Sequence, residues 1–337
     1  MSDFFTGFAG LTGRVADALQ EGLPLVERPY LALAQSLGCA EACVLEVAVG
    51  LAAEGAIRSF GAFVDYERLG YEGYLCGLAV PEGTVDAVAA RLNDRGEVTH
   101  NYLREGPVNV WFTALLRANG EDGLEGELRN AGYPFVLLHT TNRIKLRPSF
   151  RVREETGGGC HEAVAGEKFS PLPPDLSDDE ITETLSLLQI DFPMVTRPYE
   201  SAAYALGIET DELLARLTRL KKCGVLRRIG ASLHHVRVGY AFNALLAMDF
   251  GELEAAACAG RSLSRHPWLS HCYLRSVAAS TLPFEWPYEL YAMIHAKRAE
   301  DIEERLAIAG RELSLRRMLA MPTVRELKKS RYLLMKR

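Results

Sequence analysis

The sequence contains no run of 18 consecutive apolar residues, so no membrane-spanning helix is expected. Met1 to Gly10 lacks a basic region ahead of a long apolar core, so no signal peptide is expected either. Surplus positive charge is missing: 38 Lys and Arg face 44 Asp and Glu, for a net charge of −6. That argues against a chain whose main partner is nucleic acid, because neutralising phosphates needs excess cations. It leaves room for a local basic pocket. Cysteines number seven, an odd count, and no pair has C-x-x-C spacing. Neither a disulfide framework nor a zinc ribbon is expected, and a reducing cytoplasm is the simplest home. H-E-x-x-H, a phosphate-binding glycine loop, G-x-S-x-G and a catalytic Cys/His signature are all missing.

What is present is a chain written twice. The 337 residues, 48% hydrophobic and 24% charged, suffice for two or more domains. Pro24-Leu25-Val26-Glu27-Arg28-Pro29-Tyr30 returns as Pro193-Met194-Val195-Thr196-Arg197-Pro198-Tyr199, an offset of 169 positions. The same offset relates Leu37-Gly38 to Leu206-Gly207, and Leu69-Gly70-Tyr71 to Val238-Gly239-Tyr240. It also relates Gly55 to Ala62 with Gly224 to Ala231. His100-Asn101-Tyr102-Leu103-Arg104 matches His271-Cys272-Tyr273-Leu274-Arg275 at offset 171. Two homologous halves in one chain account for a register kept over that span.

Each half begins helically. In the first, helices are expected near Leu11–Gln20, over Pro29–Ser36 and over Ala40–Ala53, with a short turn at Leu37-Gly38. That is helix-turn-helix spacing, and Ile57 to Ala62 follows as a wing strand. The remainder alternates: strand Tyr74–Val80, helix Thr84–Asn93, strand Val98–Arg104, strand Asn109–Leu116, helix Gly123–Asn130, strand Pro134–His139. Val85, Val88, Ala89 and Leu92 give the first of these helices its apolar stripe. The order βαββαβ is that of a ferredoxin-like sandwich. The second half repeats it, with strands near Tyr240–Met248, Trp268–Arg275, Tyr288–His295 and Arg316–Met321. Its first helix opens at Ser177-Asp178-Asp179-Glu180, a capping-box pattern, with Ile181, Leu185 and Leu188 on one face. Gly157-Gly158-Gly159 and Pro171-Leu172-Pro173-Pro174 mark a linker. The expected class is α+β, in tandem. Winged helix-turn-helix units occupy 1–62 and 178–232, ferredoxin-like units 63–152 and 233–337, and a linker 153–177.

A DNA reader needs cations on its recognition helix. Ala40 to Ala53 carries Glu41 and Glu46 and no basic residue, and no lysine precedes Lys145. The second-half helix, Asp211 to Cys223, carries Arg216, Arg219, Lys221 and Lys222, which equally suit a solvated face. These helices read better as scaffold or pocket wall than as DNA readers.

On a strand, residues i, i+2 and i+4 share a face. His100, Tyr102 and Arg104 therefore project together, as do His271, Tyr273 and Arg275. Each trio offers a proton donor or metal ligand, a phenol and a fixed cation. A single such histidine is more often a hydrogen-bonded core residue than a ligand. Its recurrence in both halves favours function, although duplication could also carry it passively. Trp111 and the Trp286-Pro287-Tyr288 segment offer flat walls, or simply core. Arg143, Lys145 and Arg147 alternate onto one face, and Arg325, Lys328, Lys329 and Arg331 cluster near the other end. Both sets read either as surface charge or as carboxylate binders. His234 and His235 are adjacent and point to opposite faces. His139, His161, His266 and His295 have no partner at ligand spacing.

These features together resemble the siroheme decarboxylases, built on the scaffold of the Lrp/AsnC regulators. Val98 to Arg104 continuing to Asn109-Val110-Trp111-Phe112-Thr113, Pro24 to Tyr30, and Arg143 to Arg147 resemble one type of subunit of that family. Trp286-Pro287-Tyr288 and Met293-Ile294-His295 resemble its partner subunit. The whole resembles the fused D–L type of heme d1 biosynthesis. The resemblance implies loss of two acetate carboxyls of siroheme as CO2, giving 12,18-didecarboxysiroheme, with no cofactor beyond the iron of the substrate. It implies His100 and His271 as catalytic residues, with His271 a candidate axial ligand to that iron. Tyr102, Arg104, Trp111, Arg143, Lys145, Arg147, Tyr273 and Arg275 would hold the substrate. The fusion is expected to internalise a dimer, with further pairing of chains left open. A DNA-binding regulator and a tetrapyrrole sensor without catalysis are the alternative expectations.

Overall fold

The computed structural model describes residues 10–118, 120–146, 169–234, 242–330 and 332–334. Three helices open the first half: α1 (Leu11–Glu21), α2 (Pro29–Leu37) and α3 (Glu41–Ala53). Pro29 sits at the first helical position of α2, where a missing N–H costs nothing, and Gly38 ends that helix in the left-handed region at φ 67°. The wing strand is β1 (Ile57–Val64). In the second half, Ser177 and Glu180 form the expected capping box on α6 (Asp178–Gln189). α7 (Glu200–Leu206), α8 (Thr210–Lys222) and β6 (Leu226–Leu233) follow.

The two helix-turn-helix parts do not stand apart. Their wings pair with each other, antiparallel, with Gly61 opposite Gly230. Helix α1 packs on β6 of the other half, and α6 packs on β1. A methyl group at Gly61 would lie 2.5 Å from the Leu188 carbonyl, and one at Gly230 would lie 2.5 Å from that of Leu19. Close approach, rather than a turn, requires glycine there. The repeated Pro-to-Tyr motif serves the same exchange. Tyr30 donates its hydroxyl to the Pro193 carbonyl at 3.1 Å, and Tyr199 donates to that of Pro24 at 3.3 Å. One apolar core results, holding Val15, Leu19, Val44 and Leu51 together with Ile181, Leu185, Leu213 and Leu217.

The rest of the first half is β2 (Tyr71–Leu78), α4 (Val85–Asn93), β3 (Val98–Arg104), β4 (Val110–Arg117), α5 (Glu121–Ala131) and β5 (Phe135–Leu146). The rest of the second is β7 (Phe242–Asp249), α9 (Leu253–Leu263), β8 (Leu269–Ser280), β9 (Leu290–Ala296), α10 (Ala299–Glu312) and β10 (Arg317–Lys329). Within each half the strand order is that of a ferredoxin-like sheet: β3-β4-β2-β5 and β8-β9-β7-β10. The sheets do not remain separate. β5 pairs with β8 and β10 with β3, closing one eight-stranded barrel with two seams between the halves. Closure leaves no free sheet edge. Of the seam strands, β5, β8 and β10 run beyond the sequence expectation, to Leu146, Ser280 and Lys329.

Helices cover the outside of the barrel. Val85, Val88, Leu124 and Leu128 pack on Phe112 and Leu137, while Ala256, Leu263 and Ala309 pack in the same cluster as Leu246 and Ile294. Inside, one end is filled by Leu75, Val108, Trp111, Val136, Leu138, Trp286, Tyr291 and Met321. Trp111 and Trp286 meet there with ring centroids 5.6 Å apart. Truncating the buried Trp111 to alanine would cost about 3–5 kcal/mol. The other end of the barrel is open and faces the β1–β6 ribbon. Among the described residues, no single helix is long and apolar enough to cross a membrane.

Candidate functional site

The open end is a cavity of about 450 Å³, roofed by the β1–β6 ribbon and lined from all eight barrel strands. That volume lies in the range of ligand-binding clefts, about 300–1,000 Å³. Both trios line it: His100, Tyr102 and Arg104 from β3, and His271, Tyr273 and Arg275 from β8. In the closed order these strands stand four places apart whichever way one counts. The trios therefore face each other from opposite walls.

Their internal geometry repeats. The His100 and Tyr102 rings stack at 6.4 Å and 26°, and those of His271 and Tyr273 at 6.2 Å and 21°. The Arg104 guanidinium lies 4.9 Å from the Tyr102 ring centroid, and that of Arg275 lies 4.8 Å from Tyr273. Both arginines are buried. Arg104 donates to Thr323 Oγ1 at 2.7 Å and to the Met321 carbonyl at 3.3 Å, while Arg275 donates to Thr140 Oγ1 at 2.7 Å. Each bond crosses a seam, so each arginine also fastens the two halves together. The Nε of each is buried without a hydrogen bond. A buried donor left unpaired is costly, and a ligand carboxylate would satisfy it.

Five cations line the cavity, Arg58, Arg104, Arg143, Arg275 and Lys329, against the carboxylates of Asp65 and Glu67. Both carboxylates face Arg143, with its Nη2 2.5 Å from Asp65 Oδ2 and 3.7 Å from Glu67 Oε2. Burial pushes His100 down to about 3, helped by Arg58, Lys329 and His271. Burial pushes His271 down to about 4, helped by Lys329, Lys145 and Arg275. Both rings are thus neutral at pH 7. Lys329 is lowered to about 8, by burial first and Arg58 second. Arg104 is lowered to about 10 by burial. Crowded cations and neutral imidazoles make a site that favours a polyanion. Each histidine uses Nδ1 on a neighbouring hydroxyl: His100 on Thr99 Oγ1 at 2.9 Å, and His271 on Ser270 Oγ at 2.7 Å. Nε2 is left for a ligand.

Two of the expected residues are placed differently. Lys145 is not in the lining; its ammonium donates to the Ser264 and His266 carbonyls, both at 2.8 Å, just past the end of α9. Lys328 does the same in the other half, bonding the Asn93 and Arg95 carbonyls at the end of α4. These are helix C-terminal caps. The shared face expected for Arg143 and Lys145 fails because the ladder shifts register between them. Arg147, Arg331, His161, His235, Cys160 and Val238 to Tyr240 lie outside the described residues. Trp111 lines the cavity, while Trp286 lies in the core beneath it, donating to Tyr291 Oη at 2.7 Å. Arg325 pairs with Asp86 on the outside.

Arg58, His295 and Ser270 border or back the cavity without a local signal in the sequence, whereas Lys329, one of the candidate carboxylate binders, does line it. Arg58 arrives from the wing, whose match to Arg227 was noted only as part of the repeat. His295 has no partner at ligand spacing along the chain. Its partner comes from the neighbouring strand: Ser270 Oγ lies 2.8 Å from His295 Nε2. Among the described residues, no group of three or more His, Cys, Asp or Glu is placed to hold a metal ion.

The helix-turn-helix parts offer little to DNA. Both wings are consumed by mutual pairing. On α8, Arg216 is buried and donates to Thr184 Oγ1 at 3.1 Å, and Arg219 pairs with Asp175. On α3, Glu41 pairs with Arg28.

Comparison with known proteins decides the family. A model of the siroheme decarboxylase NirDL-like HTH domain matches residues 14–58 and 183–227, and an AsnC-like ligand binding domain matches 68–130 and 237–328. A siroheme decarboxylase of Hydrogenobacter thermophilus is 30% identical over 94% of this chain and 93% of its own. The chain belongs to the siroheme decarboxylase family. The fold agrees with that placement. The crystal structure of the siroheme decarboxylase NirDL superposes with a TM-score of 0.72 at 27% identity, covering 96% of this chain and 94% of that one. Its co-complex with an iron-uroporphyrin III analogue gives 0.70 at 27%, covering 95% and 93%. Each family model matches twice, once per half, as the internal repeat requires.

Proposed function

We propose that this chain is a carboxy-lyase that removes two acetate carboxyls from siroheme as CO2, giving 12,18-didecarboxysiroheme on a route to heme d1 or heme. The observation that carries this reading is the pair of His-Tyr-Arg trios facing each other across one cation-rich cavity. A flat macrocycle with many carboxylates fits between aromatic walls, and its charge offsets the surplus of cations. The relatives' names and the bound analogue in the NirDL complex support the same substrate. The iron enters as part of that substrate, and no further cofactor is invoked. The fused chain then acts as an internal pseudo-dimer, one trio from each half. The six described cysteines are free, which suits a reducing cytoplasm.

In each cycle the bond between the methylene carbon and the carboxyl carbon breaks. CO2 leaves, and the electron pair stays on the methylene carbon, spread into the macrocycle. A proton then reaches that carbon and makes the methyl group. His100 and His271 stand where Nε2 can face the ring, as donor or as axial ligand. Arg104 and Arg275, with an unbonded Nε each, pin carboxylates, and Arg58 and Lys329 add to them. Tyr102 and Tyr273 hold the imidazoles by stacking, and burial keeps both phenols protonated. The test is anaerobic incubation with siroheme, followed by absorbance and product mass. Loss of two CO2 by the wild type is expected, with product formation lowered in both His100→Ala and His271→Ala; full activity in both variants would reject the assignment. A bound tetrapyrrole of unchanged mass would make the chain a sensor instead.

A further inference from the structure

The two histidines share a wall position but not a hydrogen-bond chain. From His271, Nδ1 meets Ser270 Oγ at 2.7 Å, and the same oxygen meets His295 Nε2 at 2.8 Å. Ser270 also lies 3.5 Å from the Met293 carbonyl, too long to compete. Ser270 is buried, and His295 is buried yet borders the cavity. From His100, Nδ1 meets Thr99 Oγ1 at 2.9 Å, and that oxygen meets Thr113 Oγ1 at 2.9 Å. The first-half chain ends on an alcohol. The second-half chain ends on a second imidazole.

We propose that Ser270 and His295 are a proton relay that recharges His271 during decarboxylation, making His271 the donor. The inference rests on the siroheme decarboxylase reading above, and it reverses the axial-ligand role that the family resemblance attached to His271.

The chemistry requires such a device. His271 is neutral in its surroundings, and a neutral imidazole is a very weak acid at Nε2. It can release that proton only if Nδ1 receives another in the same event. Ser270 has one hydroxyl proton and two imidazole neighbours, so it donates to one ring and accepts from the other. When it donates to His271 Nδ1, it accepts from His295 Nε2. The balance per carboxylate is then complete. The Nε2 proton of His271 goes to the methylene carbon, and the Ser270 proton goes to Nδ1. The His295 Nε2 proton goes to Ser270, and His295 Nδ1, buried in the structure, takes one proton from water admitted through the cavity that His295 borders. CO2 leaves with no electron transferred. The chain through Thr99 and Thr113 has no second imidazole to take up and hold a proton. His100 is therefore a fixed neutral imidazole.

His295→Gln tests the relay in the full chain with siroheme under anaerobic conditions. The amide keeps a hydrogen-bond donor beside Ser270 but cannot pass a proton on. Expected is a fall in kcat of about 100-fold, the scale of a lost general-acid step. KM should stay within about twofold, as for an interaction made only in the transition state. The solvent deuterium isotope effect on kcat should rise, which a merely structural role would not produce. Ser270→Ala should match it, and Ser270→Thr, which restores the hydroxyl, should recover most of the rate. Wild-type kcat in His295→Gln, or a raised KM with unchanged kcat in both Ser270→Ala and His295→Gln, overturns the relay. Wild-type protein that binds siroheme without changing its mass overturns the parent reading instead, so the two failures are told apart.

Discussion

The two halves of the barrel carry the same three side chains on matching strands, yet their surroundings differ. On the first-half wall, His100 lies opposite Lys329 across the β10–β3 seam; on the second, His271 lies opposite Leu146 across the β5–β8 seam. Arg58 from the wing bears on His100, whereas its repeat counterpart Arg227 stands 3.9 Å from Asp65 Oδ2. Cations bear on both rings, but only the second is backed by another imidazole. Duplication fixed the scaffold and the trio. Specialisation acted on what the trio touches. A pair of like halves can thus supply unlike functions to one ligand.

The comparison can be broken most forcefully at the histidines. His271→Ala should lower kcat by about 1,000-fold, within the usual span for a general acid. His100→Ala should act mainly on siroheme affinity and on the absorbance of the bound iron. Steady-state rates and a binding titration of both variants check this, and equal losses of kcat would erase the distinction between the walls.

The next effect is on stability without ligand. Both histidines titrate below their unfolded value near 6.5. The folded state therefore binds fewer protons than the unfolded chain, and stability is lost as pH falls through that window. Each contributes up to about 1.4 kcal/mol per pH unit, from roughly 6.5 down to the folded value. The folded values are about 4 for His271 and about 3 for His100. Denaturant midpoints at pH 7 and pH 5 should converge in the His100→Gln/His271→Gln double variant, and an unchanged pH slope would contradict the lowering of both histidines by burial.

A smaller effect should be shared by both halves. Arg104→Met and Arg275→Met should each raise KM about tenfold, the value of one charged hydrogen bond of about 1.4 kcal/mol. Both should also lower the unfolding midpoint, since each arginine bonds across a seam. A large effect in one half alone would show that only one wall grips carboxylates. Smallest is Thr113→Val, which removes the dead-end hydroxyl behind His100. It should change kcat less than about threefold, far less than Ser270→Ala.

Much of this was legible because it is local. The spacing of His100, Tyr102 and Arg104 fixes a common face once the segment is a strand, and the capping box at Ser177 announces α6. The repeat announced the ferredoxin-like halves. Closure into one barrel was not legible, since pairing of β5 with β8 and of β10 with β3 depends on two distant edges meeting. The lysines misled for a related reason. Lys145 and Lys328 read as anion binders, but the helix ends they cap come near only after folding. His295 was hidden because Ser270 reaches it across strands, not along the chain.

The central claim is that both halves enclose a single macrocycle. Anaerobic titration of the wild-type chain with siroheme, followed by mass analysis of the released tetrapyrrole, tests it most directly. The account predicts one siroheme bound per chain and a product lighter by two CO2. Two independent sites per chain, or a tetrapyrrole returned intact, would contradict it.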